Sequence, residues 1–425
     1  MSNQEIMRPS SPLTLALIFM VGIAIAQPYN DPNFPKPTSG YGSEGSYTVA
    51  KQEYDHPYFS GETIEVYYPK EKVGKVPTLF FCHGYGGVNS LYINGMIQFL
   101  AKKGYALVYV PYPTTGVSIE ERYDILREGF RHAARKYPQI IDTTKVGFMG
   151  HSFGGGAMFG VSHACFTQNN WGSAGRFLFS MAPWYSYQLT PEQLNSFPAN
   201  TQLIMHVYEE DVLNDHRMAI DIFNNINIPK ENKDYIYVQP DTINGTVYPA
   251  GHNLPGTYEV YDAMDYYALY RLLDAMCDYV FNGNEVAKNT ALGNGSAEQV
   301  TMPGNLKPLL QTDEPQPLFE ESKYEFPCNA ILNPRRMFCG LTSTEDERVN
   351  TSFIIYPNPA KDHVTISHLP ADNSILTITG MLGRKIKTLS TEGKATIDID
   401  VSDLRKGIYL VTVGGLSKKL VVSHR

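Results

Sequence analysis

Residues 146–156 read Val-Gly-Phe-Met-Gly-His-Ser-Phe-Gly-Gly-Gly: a short apolar run, a serine set between glycines, and a continuation through Ala157 and Phe159. The order predicts a buried strand over Val146 to Met149, a tight turn at Gly150-His151-Ser152-Phe153-Gly154, and a helix after it. A nucleophile carried on such a turn needs small neighbours, because larger side chains would run into the sheet, and the turn lifts the serine hydroxyl above the strand ends. The helix N-terminus that follows favours negative charge developing beside it. A Gly-X-Ser-X-Gly match also describes an ordinary glycine-rich turn; its place between strand and helix separates the two. A phosphate-binding loop is disfavoured because no lysine follows the glycines.

Serine is a weak nucleophile at its own pKa, so it needs a base, and the base needs a carboxylate to orient it. The apolar run Gln202 to Tyr208 ends in Glu209-Glu210-Asp211, and Gly251-His252-Asn253 forms a loop before the last helical stretch. Ser152, Asp211 and His252 therefore stand in the order nucleophile, acid, base. Asp211 is the favoured acid, with Glu210 and Glu209 as fallbacks and a solvated acidic turn as the bland alternative. For His252 the alternative is an exposed loop histidine. His206 within a strand, His216 in a helical stretch and His151, expected to face away from the serine, are poorer bases. Upstream, His83-Gly84-Tyr85-Gly86-Gly87 follows the apolar run Thr78 to Cys82. There the Tyr85 backbone N–H can join that of Phe153 as an oxyanion hole. Otherwise this is a tight turn with a structural histidine.

Further apolar runs at Tyr105 to Val110, Phe177 to Met181 and Tyr235 to Val238 have the length of buried parallel strands. Helical periods lie between them, the clearest through Ile119, Tyr123, Leu126, Phe130 and Ala134, and Tyr258 to Phe281 closes the series. The fold class is thus α/β: a mostly parallel sheet with helices on both faces, over residues 27–283. Periodicity fades after Asn284, which predicts a linker or loosely packed extension over 284–350. From 351 to 425 short alternating strands separated by turn residues predict a small β-sandwich.

At 425 residues the chain has room for two folded units. A net charge of -8 gives no basic face for nucleic acid. Arg8 followed by the apolar run Leu13 to Ala26 predicts a signal peptide over residues 1–26, too short for a transmembrane anchor. Five cysteines leave at least one unpaired or paired between chains. Cys328 and Cys339, in a polar proline-containing stretch, are expected to form a disulfide outside the cell, whereas Cys82, Cys165 and Cys277 read as buried thiols. No zinc-ligand motif or nucleotide-binding fingerprint is present, and no metal or cofactor is expected.

Residues 60 to 280 resemble the dienelactone-hydrolase and cutinase-like branch of the α/β-hydrolases, which includes bacterial polyester hydrolases. The matching pieces are the His83 to Gly87 turn, the run from Asp142 to Gly156, Ala182-Pro183-Trp184, the Glu209 to Asp211 turn and Gly251-His252. The resemblance implies a serine esterase that acts through an acyl-enzyme on small or polymeric esters, with Tyr85 and Trp184 flanking the ester-binding cleft. His151 and Phe153 replace the Trp and Met usual around the serine of polyester hydrolases. A serine peptidase or amidase with the same triad and a non-catalytic surface binding protein stay open as alternatives. Residues 352–425 resemble the type A sorting domain of the Bacteroidetes type IX secretion system, on Tyr356-Pro357-Asn358-Pro359, the Gly380 and Gly383 turns, Leu404, Gly407-Ile408-Tyr409 and Lys418-Lys419-Leu420-Val421. That resemblance implies export through the periplasm, with the secretion machinery as partner. Without it, a carbohydrate-binding or adhesive sandwich is the alternative.

Overall fold

Strands covered on both faces carry large apolar side chains at successive positions, and the apolar runs of this sequence become the middle of one sheet. The computed structural model describes residues 28–321 except 188 and 259, the isolated residues 324, 335 and 338, and residues 353–423 except 359, 368, 370–374, 381–384 and 414–415. The expected signal peptide and the expected Cys328–Cys339 disulfide lie outside the described residues. The chain divides into two compact units between Leu318 and Phe319.

In chain order the first unit contains β1 (Val49–Asp55), β2 (Thr63–Pro69), β3 (Val76–Cys82), β4 (Ala106–Tyr109), β5 (Ile141–His151), β6 (Gly175–Met181), β7 (Gln202–Tyr208) and β8 (Lys233–Val238). A small hairpin of β9 (Asp241–Ile243) and β10 (Thr246–Tyr248) follows, then β11 (Leu310–Thr312). The sheet order is β1-β2-β4-β3-β5-β6-β7-β8-β11. Neighbours from β4 to β8 run parallel, while β1, β2 and β11 join antiparallel at the two sides.

The helices are α1 (Asn94–Lys103), α2 (Ile119–Lys136), α3 (Phe153–Asn169), α4 (Pro191–Asn195), α5 (Arg217–Asn225) and α6 (Arg271–Asn282). Alternation along β3 shows how the sheet serves two layers. Leu79 and Phe81 belong to a core shared with Phe99 of α1 and Leu272 and Met276 of α6. Phe80, between them, packs instead against Phe130 of α2, Phe148 and Trp171. Helix α2 starts where the sequence dictates: Ser118 accepts from the Glu121 N–H at 3.1 Å and Glu121 accepts from the Ser118 N–H at 2.6 Å. Its Glu120 and Glu121 complement the dipole at the start, and Arg135 and Lys136 do so at the end. The expected single helix from Tyr258 to Phe281 instead opens with a π-helical stretch, Met264–Tyr270, before α6.

The expected loose extension departs most from its reading. Residues 284–318 fold with the first unit. They form α7 (Lys288–Ala291) and α8 (Ala297–Val300), bury Met302, Leu306 and Leu309, and add β11 to β8. Their polar residues are structural: Gln299 Nε2 donates to Asp234 Oδ2 at 2.5 Å and Gln311 Nε2 to Asp234 Oδ1 at 2.9 Å, satisfying a buried carboxylate. Spaced apolar anchors and side-chain amides leave no periodic signal, which is why the segment reads as a linker. The Gly- and Pro-rich stretch before β1 is likewise fixed. Tyr29 meets Tyr261 and Tyr266 edge to face, and Asp31 accepts from the Phe34 and Ala263 N–H groups and the Tyr248 hydroxyl.

The second unit has two antiparallel sheets. One runs β12 (Ile354–Tyr356), β13 (His363–Ser367), β16 (Thr396–Asp400); the other has the order β15 (Lys385–Ser390), β14 (Ile375–Gly380), β17 (Gly407–Val413), β18 (Leu416–Val422). Val364, Ile366, Leu376, Ile378, Val411, Val413 and Leu420 from the two sheets form one core, as a sandwich requires. Asn358 explains part of its motif: Nδ2 donates to the Lys419 carbonyl at 2.7 Å and Oδ1 accepts from the Val421 N–H at 2.8 Å.

Beside Asp31, burial raises the Asp262 carboxyl from its usual 3.8 to about 6, with the Asp31 charge adding to the rise. The folded state therefore holds this proton more tightly than the unfolded chain. Ionising Asp262 costs folding stability progressively as pH climbs from near 4 to about 6. Asp262→Asn keeps an oxygen for the Met264 N–H that Asp262 Oδ1 accepts at 2.8 Å. Thermal melts should show the variant gaining on wild type by roughly 2–8 °C between about pH 4.5 and about pH 7.5. A pH-independent difference would contradict the assignment.

Candidate active site

The serine turn is built by close backbone approach. A Cβ at Gly150 would stand 2.2 Å from the Gly154 carbonyl oxygen, and one at Gly154 would stand 1.9 Å from that of Cys82. Only glycine fits at either position, and the chain between them reverses within a few residues. Ser152 takes φ 57° and ψ −122°, a conformation that L-residues adopt only under constraint. It is held there by its N–H donating to the Met181 carbonyl at 3.0 Å and by its carbonyl accepting from the Trp184 N–H at 2.7 Å. The side chain thus stands at the end of β5 with α3 starting directly behind it.

Asp211 follows β7 by a short turn. Its Oδ1 accepts from the Leu213 and Asn214 N–H groups at 2.9 and 3.1 Å, leaving Oδ2 to meet His252 Nδ1 at 2.8 Å. The carboxylate therefore accepts the His252 Nδ1–H, and Nε2 takes no part in that bond. The two fallback acids are engaged elsewhere: Glu210 Oε2 accepts from the Ala250 N–H, and Glu209 Oε2 from Gln239 Nε2. Ser152 and His252 line one cavity of about 450 Å³ together with Gly84, Tyr85, Tyr92, His151 and Asn214. A second cavity of about 360 Å³ adjoins it, sharing His252, Leu213 and Asn253, and is walled by Val212, Leu254, Val260 and Met264. Val212 and Leu213, 91% and 63% exposed, give this rim an apolar surface.

Tyr85 occupies the loop after β3, and Phe153 is the first residue of α3. Neither backbone N–H finds an acceptor among the described residues, as expected for a free loop amide and a helix start. The loop is shaped by His83, whose Nδ1–H donates to the Gly84 carbonyl at 2.7 Å and whose Nε2 accepts from the Tyr112 N–H at 3.0 Å. Burial lowers its pKa to about 3, so it stays neutral. His83 thus has a structural role in this loop, while the Tyr85 and Phe153 N–H groups keep no acceptor among the described residues. Trp184 is half-buried and tied to Ser152 through its backbone, but it is not among the residues lining the cavity that holds Ser152 and His252.

His151 does not face away from the site as expected. Its ring lies 4.7 Å from that of His252, and Nε2–H donates to the His252 carbonyl at 2.8 Å. Burial lowers its pKa to about 3, with the neighbouring His252 adding to the effect, so it acts as a neutral donor bracing the histidine loop. Its direction follows the strand: His151 is in register with Met181 at the end of β5, on the face that Met149, Phe179 and Met181 share, and Tyr92 stands beside its ring. Asn214 was also missed. Its Nδ2 donates to the Ala182 carbonyl at 2.5 Å, linking the acid turn to the segment after β6. No sequence signal separates this asparagine from any other loop asparagine. His206 is buried in β7 with Nε2 on the Ala268 carbonyl, and His216 directly precedes α5 with Nε2 accepting from the Leu318 N–H, so neither lines the cavity. Among the described residues no group of three or more His, Cys, Asp or Glu side chains is placed to hold a metal ion. Cys82, Cys165 and Cys277 are buried free thiols, and among the described residues there is no disulfide.

Residues 354–423 match the family model of a secretion system C-terminal sorting domain. No curated protein matches the chain. The C-terminal unit is a type IX secretion sorting domain, and the protein is secreted or displayed at the cell surface by that machinery. No helix among the described residues is long and apolar enough to cross a membrane.

Two outcomes follow from this arrangement. Asp211→Asn preserves the shape of the turn but reverses the proton on His252 Nδ1, and should slow fluorophosphonate labelling of Ser152 by about a thousandfold or more, while Glu209→Gln leaves it within about threefold. In the native host, a chain ending before residue 353 should be retained inside the cell. Fractionation and immunoblotting would contradict the sorting role if the truncated protein still reached the medium or surface.

Proposed function

We propose that this protein is a secreted carboxylic ester hydrolase of the α/β-hydrolase fold, working through Ser152, His252 and Asp211. The observation that carries the reading is a serine at φ 57° on a strand-to-helix turn, lining one cavity with a histidine whose Nδ1 is 2.8 Å from the Asp211 carboxylate. The sheet order, with its antiparallel entry strands and parallel centre, agrees with that fold.

In the proposed reaction His252 Nε2 takes the Ser152 hydroxyl proton as Oγ attacks the ester carbonyl, and Asp211 stabilises the resulting imidazolium. The carbonyl electron pair moves onto oxygen, which accepts from the Tyr85 and Phe153 N–H groups. Collapse expels the alcohol, protonated by His252, and leaves an acyl-enzyme. Water activated by the same histidine then attacks, releasing the acid and restoring Ser152. Every proton is carried by a residue of this chain. Apolar acyl or aromatic groups suit the rim of Tyr85, Val212, Leu213 and Val260, which is the feature that extends the proposal toward hydrophobic esters and polyesters.

Hydrolysis of p-nitrophenyl esters from acetate to longer acyl chains tests the proposal. Wild type should turn them over, favouring chains longer than acetate, and Ser152→Ala and His252→Ala should each lose about 10⁴-fold or more in kcat. Inert wild type would sink the reading. Faster cleavage of a matched anilide than of the ester would replace it with an amidase.

A further inference from the structure

We propose that Arg122 is a positioning residue of the oxyanion hole, fixing its two donors to each other and placing a positive charge behind them. The inference rests on the esterase reading above. Arg122 lies in the first turn of α2, away from the Gly-X-Ser-X-Gly turn in sequence, and its guanidinium carbon stands 5.4 Å from the Tyr85 ring centroid and 5.5 Å from that of Phe153. These are the two residues whose backbone N–H groups are assigned to the oxyanion. A single cation therefore engages the side chains of both donors.

The surroundings explain why such a tie is needed. Phe153 is already fixed, its ring packed against Tyr112 and Tyr123. Tyr85 is not: it is 60% exposed and sits between Gly84 and Gly86, the latter at φ 82°, in a loop with little conformational restraint of its own. Arg122 connects the free donor to the fixed one. Its Nη2 donates to the Thr114 carbonyl at 2.7 Å, which anchors the guanidinium to the loop following β4.

Two further observations favour an electrostatic share in this role. The Arg122 Nε is buried without a hydrogen-bond partner, and the side chain forms no ion pair among the described residues. A buried N–H with no acceptor costs stability and calls for an explanation. Set over two rings rather than neutralised by a carboxylate, the partly buried guanidinium keeps its field for the charge that develops on the substrate oxygen.

The test uses the mature full-length enzyme and a p-nitrophenyl ester, with Arg122→Met, which keeps length without charge, and Arg122→Lys, which keeps charge without the planar fork. A trifluoromethyl ketone reads the hole directly: Ser152 Oγ bonds to its carbonyl carbon as His252 takes the hydroxyl proton, and the carbonyl π pair moves to an oxygen held by the same donors. Arg122→Met should lose about 10- to 100-fold in kcat and a similar factor in ketone affinity, with KM within about threefold and an unchanged melting temperature. Arg122→Lys should recover part of both losses. A raised KM with kcat and ketone affinity intact would overturn the inference, as would a kcat loss that follows a lowered melting temperature in both variants. Wild type that neither turns over esters nor binds the ketone would instead overturn the esterase reading on which it stands.

Discussion

The approach of α3 to the ends of β3 and β5 is closer than any side chain tolerates, and much of the first unit depends on that contact. With glycine at 150 and 154 the helix can start directly behind Ser152, and the serine is driven into its left-handed conformation. A Cβ at either glycine would overlap backbone oxygen, so relief would require moving a helix relative to the sheet that buries it. The cost of the Ser152 conformation is met by packing elsewhere: the aromatic layer of Phe80, Phe130, Phe148 and Trp171 under α2 and α3, and the larger core beneath α1 and α6.

From that turn the other groups of the site follow by strand order. Parallel neighbours bring the C-terminal ends of β3, β5 and β7 to one side of the sheet, so the Tyr85 loop, Ser152 and the Asp211 turn meet although they are far apart in the chain. His252 comes from a loop with no strand beneath it, and it is held by contacts on both sides of its own residue: Asp211 on the imidazole and His151 on the carbonyl. A loop histidine is thereby given the fixed orientation that a strand would otherwise supply.

The sequence was legible where one physical requirement acts on consecutive residues. Two-sided burial writes the apolar runs of β3 to β8, amphipathic burial writes α2, and close approach writes Gly150 and Gly154, so these parts could be read directly. Ser152, Asp211 and His252 could be ordered for the same reason, since each ends or follows a recognisable strand or loop. It was not legible where order comes from isolated long-range contacts. Gln299 and Gln311 look like solvated residues until Asp234 is seen between them, and Asp31 looks like a loop acid until it is seen holding Tyr248 and Ala263. Arg122 belongs to the same group, because its meaning lies in two rings on other segments.

The antiparallel addition of β11 to β8 also covers what would otherwise be the edge of the sheet. Without residues 284–318, β8 would present an open row of backbone donors and acceptors beside the apolar side chains of Tyr235, Ile236 and Val238, a template for pairing with a second molecule. The segment that looks dispensable thus acts as a built-in edge guard. A recombinant first unit cut at 283, where the periodic sequence ends, would expose that edge, whereas one continued through Leu318 keeps it closed.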